Sequence, residues 1–451
     1  MSPHTSDSYV TEHADCFVSE LAELCAFPTI SAHDRAQLET AEWICSKLED
    51  IGFETELLPV PESAPMIHAE CGSGERSLLY YNHYDVQPID PIELWNSEPF
   101  TLTERDGMLF ARGVSDDKGD LLARIHALRA WRETVGDLPM RIIFLIEGQE
   151  EIGSPGFTEL VESYGDRFRA DACCWEGSGS GEEEIPEVYC GAKGMLYVEL
   201  SVHTLDHDLH SSLGGMVPNA AGRLIEAIRC LRDSEGRVTV DGMREAVRPL
   251  EPLAAEAVSR LPFDRKKVME SWGTGRIIGD LDSTDALMEL MNGLTANIAG
   301  FWSGYTGEGA KTVTPAEARA KMDFRLVPDL TADIAEELIR AHLDRHGFSD
   351  VEMVRHAAQD PGRTPLDSPV VRVAADAWRD VEGADPLVYP NMTGTGPISF
   401  VTNRLRIPTV MTGGVGWYGS RIHSPNECIR KDDYFGAVRY WLRFIERYAR
   451  V

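Results

Sequence analysis

Histidine and acidic side chains stand at the ends of several strand-like segments of this sequence. Residues 77–82 are largely apolar and aromatic, and they run directly into His83 and Asp85. Because residues two apart in an extended chain point to the same side, the imidazole and the carboxylate share one face. An isolated pair of this kind is usually a surface pair, but it can also be a metal-binding histidine oriented by a carboxylate. Partners elsewhere in the chain decide between the two.

Further acidic and imidazole groups occur where apolar segments end or where glycine-flanked turns begin. In chain order they are Asp116, Asp117, Glu150, Glu151, Glu176 and His423. Each has an ordinary explanation, such as a helix cap or a solvated turn. Taken together, two histidines and several carboxylates suit a zinc-like ion and are sufficient for two ions.

Paired ions of this kind perform hydrolysis. They can share a hydroxide and bind both oxygens of a hydrolytic transition state. The reaction also needs a base that is not bound to metal. In the doublet Glu150-Glu151 neighbouring side chains point in different directions, so one can bind metal while the other accepts a proton from water.

The elements that must position these groups alternate between helix and strand patterns. The patterns predict helices over 15–27, 34–51 and 120–135, and strands over 55–59, 77–82 and 141–146. This alternation predicts an α/β fold whose mostly parallel sheet is covered by helices. In such a sheet, ligands bind at the carboxyl ends of the strands, which is where His83 lies.

The pattern changes between residues 194 and 362. A β-α-β-β-α-β order there predicts an inserted α+β domain, with a mostly helical insertion over 236–292. The catalytic domain is then divided between residues 1–193 and 363–451. Two domains also agree with the length of 451 residues.

The composition disfavours some classes of partner. The net charge is −31, with 74 acidic against 43 basic residues, which disfavours binding to nucleic acid or to anionic membranes. The first residues are polar and acidic, without the features of a secretory signal, and no apolar run is long enough to span a membrane. We therefore expect a cytoplasmic protein.

The order of the motifs resembles that of the co-catalytic zinc metallopeptidases, a family that includes carnosinase and related dipeptidases, carboxypeptidase G, aminoacylase and succinyl-diaminopimelate desuccinylase. The motifs are HYD at 83–85, ARGVSDDKG at 111–119, EGQEEIGS at 147–154, Glu176 after an apolar run, and HSPNE at 423–427. The DDKG motif and RLVPD at 325–329 are most similar to the carnosinase-like dipeptidase branch.

The resemblance implies two Zn²⁺ ions per chain, with Mn²⁺ or Co²⁺ as alternatives, and a role for each site residue. His83 and Glu176 would bind one ion, Glu151 and His423 would bind the other, and Asp116 would bridge them. Asp85 would orient His83, and Glu150 would be the general base. The resemblance also implies a cis peptide bond between Asp116 and Asp117.

The inserted domain is similar to the lid and dimerisation domain of the same family. The segment DLHSSLGG at 208–215 resembles a family motif whose histidine, here His210, steadies the oxyanion in the partner subunit of a homodimer. Arg325 would bind the substrate carboxylate, and Thr395 and Gly396 would line the substrate-binding site.

The resemblance implies a hydrolase that acts on dipeptides or similar small amino-acid amides. Many dipeptidases have aspartate at the position of Glu176, and glutamate is commoner among deacylases and carboxypeptidases. An N-acyl-amino-acid deacylase therefore remains an alternative. A catalytically inactive relative that serves in binding is a further alternative, although it would be expected to have lost ligands or the base.

Overall fold

The computed structural model describes residues 3–61 and 63–451. The chain divides into two compact units. Unit 1 contains residues 1–191, 363–390 and 400–451, and unit 2 contains residues 192–362 and 391–399. The domain limits that the sequence indicates, at 193/194 and 362/363, stay predictions.

Helices in the described residues are numbered along the chain. They are α1 (Pro3–Glu12), α2 (Ala14–Cys25), α3 (Gln37–Glu49), α4 (Lys118–Thr134), α5 (Phe157–Tyr164), α6 (Ala220–Leu231), α7 (Pro252–Ser259), α8 (Arg265–Trp272), α9 (Ser283–Asn292), α10 (Ala332–Arg345), α11 (Pro369–Glu382) and α12 (Lys431–Tyr448). Within these residues, no helix combines the length and the apolar character needed to cross a bilayer.

Strands are numbered in the same way. They are β1 (Glu54–Leu58), β2 (Met66–Cys71), β3 (Ser77–His83), β4 (Thr103–Arg105), β5 (Met108–Phe110), β6 (Arg141–Glu147), β7 (Ala172–Trp175), β8 (Glu187–Tyr189), β9 (Gly191–Ala192), β10 (Gly194–His203), β11 (Leu209–His210), β12 (Thr295–Ser303), β13 (Val313–Thr314), β14 (Glu317–Leu326), β15 (Glu352–Gln359), β16 (Gly362–Arg363), β17 (Leu387–Tyr389), β18 (Thr409–Met411) and β19 (Cys428–Arg430).

Unit 1 is built on an eight-stranded sheet in the order β1-β2-β6-β3-β7-β18-β8-β17. Its centre is parallel: β3 runs parallel to β6 and β7, and β18 runs parallel to β7. Strands β3 and β6 are buried on both faces, as expected for parallel strands covered by helices. The predicted α/β fold with a mostly parallel sheet is confirmed.

Neighbouring tyrosines of β3 show that helices cover both faces of this sheet. Tyr80 packs edge-on against Trp441 of α12, with ring centroids 5.2 Å apart. Tyr81 points to the opposite face, where its ring lies 5.8 Å from that of Phe157 in α5. Adjacent tyrosines on opposite faces of β3 thus pack against helices on both sides of the strand that ends at His83.

Unit 2 contains a four-stranded antiparallel sheet in the order β12-β14-β10-β15. Strand β14 buries every second residue, which matches the period of a strand with one covered face. The buried side chains of β14 share one apolar core with Leu224 of α6 and Ile339 of α10. Helices α7, α8 and α9 fall in the segment for which the sequence predicts a helical insertion.

Strand β2 has no clear signal in the sequence. It pairs antiparallel with both β1 and β6. Its polar residues interrupt the apolar pattern, but their partners are distant in sequence: Glu70 accepts hydrogen bonds from Arg141, and the His68 ring lies 5.3 Å from that of Phe168. Contacts made only in the folded chain stabilise this strand, so a local pattern does not predict it.

Candidate active site

Three neighbouring parallel strands bring predicted site residues to one edge of the sheet in unit 1. Strand β3 ends at His83, β6 ends just before the turn that holds Glu150 and Glu151, and β7 ends just before Glu176. Parallel strands place their carboxyl ends at the same edge. The positions of these groups therefore follow directly from the register of the sheet.

A small sheet brings two further segments together. Strand β19 pairs antiparallel with β5, so the loop that carries His423 lies beside the turn that carries Asp116. Ala111, which follows β5, donates its backbone N–H to the carbonyl of Glu427, which precedes β19. The two motifs lie more than 300 residues apart in sequence but form adjoining loops.

Asp116 lies between two histidines. Its Oδ1 is 3.0 Å from Nε2 of His83, and its Oδ2 is 3.0 Å from Nε2 of His423. Burial alone would raise the pKa of the Asp116 carboxyl, but hydrogen bonds with the two imidazoles outweigh burial and lower it. The peptide bond between Asp116 and Asp117 is cis, as the resemblance implies.

Glu176 lies on the His83 side of this carboxylate. Its Oε2 is 3.4 Å from Nε2 of His83. The same oxygen is buried and accepts no hydrogen bond from the part of the chain that the structure describes. Burial raises the pKa of Glu176 well above its ordinary value. A buried carboxylate oxygen without a partner, beside an imidazole, suits a metal ligand.

Glu151 lies on the His423 side. Its Oε2 is 3.1 Å from Nε2 of His423 and accepts a hydrogen bond of 2.8 Å from Nε2 of Gln87. Hydrogen bonds with Asp116 and Glu151 raise the pKa of His423 to about 10. The carboxylates on this side thus favour positive charge, either as a proton on the imidazole or as a bound cation.

Asp85 holds two parts of the site at once. One carboxylate oxygen lies 3.2 Å from Nδ1 of His83, on the opposite side of the ring from Asp116. The two carboxylate oxygens also accept the backbone N–H groups of Glu150 and Glu151, at 3.2 and 3.0 Å. The first contact is the one expected from the sequence. The second, which fixes the turn of the acidic doublet, has no sequence signal.

Glu150 differs from its neighbour Glu151. Its carboxylate accepts no hydrogen bond among the described residues, although its backbone is fixed by Asp85. Burial raises the pKa of Glu150 to about 7, and the negative charges of Asp116, Glu151 and Asp85 add to this effect. A carboxylate with a pKa near neutrality and no fixed partner can both accept and return a proton.

Asp117 is outside the ligand set that the resemblance implies, but the structure places it beside two members of that set. Ligand atoms of His83, Asp117 and Glu176 lie within 4.8 Å of one another. Its Oδ2 accepts hydrogen bonds from Nδ2 of Asn82 and the backbone N–H of His83, at 2.7 and 3.0 Å. Its Oδ1 is buried without a hydrogen bond in the described part of the chain. Asp117 therefore holds the end of β3 and still presents one free oxygen.

Glu427 supports the turn of Asp116, and sequence reasoning missed it. Its carboxylate accepts N–H groups from Arg112, Gly113, Ser115 and Asp116, at 2.7, 3.0, 2.9 and 3.1 Å. Arg112 and Glu427 are both fully buried. In the sequence, Glu427 is only the last residue of the HSPNE motif, and the motif alone assigned it no role.

We expect Glu427→Gln to lower the free energy of unfolding by about 3–5 kcal/mol, because it leaves the buried Arg112 guanidinium without its counter-charge. The matched control is Glu104→Gln, which removes an exposed ion pair with Lys431 and should change stability by less than about 1 kcal/mol. Urea denaturation of the chelator-treated variants measures both values. Equal effects of the two substitutions would contradict this role of Glu427.

The remaining predicted residues lie in unit 2. Nη1 of Arg325, in β14, donates to Oγ1 of Thr395 at 2.6 Å. At Gly396 an added Cβ would meet no atom within 4 Å, so the backbone there is open. His210 is exposed, and its Nδ1 accepts the backbone N–H of Ser212 at 3.2 Å. Its Nε2 therefore carries the proton and is a hydrogen-bond donor.

Comparison with known proteins defines the family. The model of peptidase family M20/M25/M40 matches residues 79–447, so the chain belongs to this family of metallopeptidases. It is accordingly an enzyme, a metal-dependent hydrolase, and the family that its motifs resemble is confirmed.

Three relatives illustrate the similarity. The chain is 27% identical to the Beta-Ala-His dipeptidase of Rattus norvegicus, over 97% of this chain and 93% of the relative. It is 25% identical to a Cys-Gly metallodipeptidase of Schizosaccharomyces pombe, over 98% and 97% of the two chains. The crystal structure of the metallo-carboxypeptidase Sso-CP2 from Sulfolobus solfataricus superposes with a TM-score of 0.88 and 34% identity, over 96% of this chain and 99% of the other.

Proposed function

We propose that the chain hydrolyses the peptide bond of dipeptides, or of similar small amino-acid amides, with two divalent metal ions bound in unit 1. One observation carries this proposal: the two oxygens of Asp116 face Nε2 atoms of two different histidines, each at 3.0 Å. A carboxylate in this position can bridge two ions. The names of the dipeptidase relatives support the substrate class.

The residues present fit a pair of zinc-like ions. His83 and Glu176 would hold one ion, Glu151 and His423 the other, and Asp116 both. The donor set combines imidazole nitrogens with carboxylate oxygens, which suits Zn²⁺, Mn²⁺ or Co²⁺. When bound, the ions polarise the scissile carbonyl and lower the pKa of water. The unpartnered Oε2 of Glu176 supports this assignment from the protein side.

The protein's own groups complete the reaction. The Glu150 carboxylate accepts a proton from the attacking water and returns it to the leaving nitrogen. Asp85 keeps Glu150 in position through the backbone N–H and keeps the His83 ring in one orientation through Nδ1. In unit 2, the Nε2–H of His210 can donate to the developing oxyanion of a substrate bound at the partner's site.

A panel of substrates tests the proposal against its alternative. The apoenzyme, prepared by chelation, is supplied with Zn²⁺, Mn²⁺ or Co²⁺ and assayed on dipeptides and on N-acyl amino acids. We expect metal-dependent hydrolysis, with kcat/KM higher for dipeptides. Higher kcat/KM for N-acyl amino acids would establish the deacylase alternative, which Glu176 leaves open. Hydrolysis of neither class with any metal would favour an inactive relative and contradict the proposal.

Arg325→Ala should raise KM for dipeptides by roughly 10- to 100-fold with a smaller change in kcat, because it removes a charge-assisted hydrogen bond to the substrate carboxylate. Arg319→Ala is the matched control, since Arg319 lies in the same strand and pairs with Glu199. Steady-state kinetics with dipeptides and with their C-terminal amides measures the effect. If Arg325→Ala and Arg319→Ala changed KM equally, Arg325 would not bind the carboxylate.

Subunits carrying His210→Ala and Glu150→Gln should complement each other if the enzyme is a homodimer completed in trans. Each variant alone would be defective, but a mixed dimer would contain one site with both groups intact. Activity after subunit exchange, measured against each variant alone, checks this. A fully active monomer, or no recovery after exchange has been shown by mass spectrometry, would contradict the shared site.

A further inference from the structure

Unit 2 contains a histidine and aspartate cluster that the proposed reaction does not use. His342 lies in the last turn of α10, and His346 directly follows that helix. Asp241 reaches them from a loop about 100 residues earlier in the chain. Ligand atoms of these three residues lie within 4.8 Å of one another. Residues four apart on a helix lie on the same face, so both imidazoles point towards the aspartate.

One of the measured distances matches the ligand spacing of a tetrahedral ion. Zinc bound to nitrogen and oxygen at about 2.0–2.1 Å places its ligand atoms roughly 3.3 Å apart. Nδ1 of His342 lies 3.2 Å from Oδ2 of Asp241, and Nε2 of His346 lies 4.0 Å from the same oxygen. The second distance is longer than this spacing, so the exposed His346 side chain would have to turn towards Asp241 to bind the same ion.

Hydrogen bonding prepares His342 as a ligand. Its Nε2 lies 2.9 Å from the carbonyl oxygen of Cys230, and a carbonyl can only accept. The ring proton is therefore on Nε2, and Nδ1 presents its lone pair towards Asp241. Metal-binding histidines are commonly held in this way by a carbonyl on the far side of the ring. The ring is also buried, so its orientation is fixed by packing.

The group that competes for Asp241 is Arg345. Its Nη1 pairs with Oδ2 of Asp241, but the two side chains are 59% and 47% exposed. An exposed pair of this kind contributes little to stability, because water screens both charges. The backbone N–H of Asp241 also donates to Nδ1 of His342, at 3.2 Å. An ion that gains three ligands at the C-terminal end of α10, where cations are favoured, can replace both contacts.

We propose that Asp241, His342 and His346 form a metal site of the zinc type in unit 2, with water in the remaining positions. The ion would link the loop that contains Asp241 to the C-terminal end of α10. No residue of this cluster belongs to the set proposed for hydrolysis, so the site can be lost while turnover continues.

The test compares zinc uptake by full-length variants. Metal-free protein is dialysed against micromolar free Zn²⁺, and bound zinc per chain is measured by inductively coupled plasma mass spectrometry. Wild-type protein should retain one more ion than His346→Gln and one more than Asp241→Asn. His203→Gln is the matched control, because His203 is an exposed histidine near one carboxylate, Glu317, and should retain the wild-type number.

Arg345→Ala gives the proposal a second, opposite test. Since Arg345 competes with the ion for Asp241, its removal should strengthen binding at this site several-fold in a calorimetric zinc titration. Equal zinc content in wild-type, His346→Gln and Asp241→Asn protein would overturn the proposal, and so would unchanged or weaker binding in Arg345→Ala. Because the test compares the zinc content of the variants with that of the wild type, its result does not depend on how many ions unit 1 binds.

Discussion

Glu150→Gln is expected to lower kcat by at least ~10²-fold, the usual contribution of a positioned general base, while both metal ions stay bound. Glutamine has the shape of glutamate but cannot accept the proton from water. The Glu150 carboxylate accepts no hydrogen bond among the described residues, so the substitution breaks no hydrogen bond of this side chain there. Steady-state kinetics and metal analysis on the same preparation measure both parts of the expectation.

Glu151→Gln provides the matched control within the same turn. Oε2 of Glu151 lies 3.1 Å from Nε2 of His423, so we expect this substitution to lower the occupancy of one metal ion. The two adjacent substitutions should thus separate catalysis from metal binding. Loss of metal in Glu150→Gln together with full metal content in Glu151→Gln would show that the two roles are reversed.

Asp116→Asn is expected to lower the occupancy of both ions and to reduce kcat/KM by roughly 10³-fold or more, since metal ions supply several kcal/mol of transition-state stabilisation. Asparagine keeps one oxygen but replaces the other with an amide nitrogen, which cannot bind a metal. Because each oxygen of Asp116 faces a different histidine, either amide orientation disturbs the pair. Metal analysis and kinetics after equilibration with zinc provide the measurement.

Asp117→Asn distinguishes the two members of this doublet. Asparagine can still accept the N–H groups of Asn82 and His83, which now bond to Oδ2 of Asp117. We therefore expect Asp117→Asn to retain both ions. Retention of both ions in Asp116→Asn with loss of one in Asp117→Asn would instead identify Asp117 as the ligand.

The sequence predicts most of the positions that bring the site together. Apolar strands that end in His83 or just before Glu176 indicate a parallel sheet, and that fold collects strand ends at one edge. The acidic doublet after β6 follows the same rule. In these cases one short segment contains both the reactive residues and the apolar pattern of the strand. A local pattern therefore predicts both.

Other parts of the site could not be predicted because their partners are distant in sequence. Glu427 supports backbone N–H groups more than 300 residues earlier, and Asp85 fixes a turn 65 residues later. The buried Arg124 guanidinium donates to the carbonyl oxygens of Tyr81 and Cys174, joining two strand ends. Such contacts form only when distant segments come together in the fold, so the pattern of a single segment does not predict them.

Anomalous diffraction at the zinc edge from crystals of zinc-loaded enzyme tests the two-metal site most directly. We expect two strong peaks in unit 1, one beside His83 and Glu176 and the other beside His423 and Glu151, with a carboxylate oxygen of Asp116 next to each. A single peak, or two peaks with Asp116 bound to neither, would contradict it.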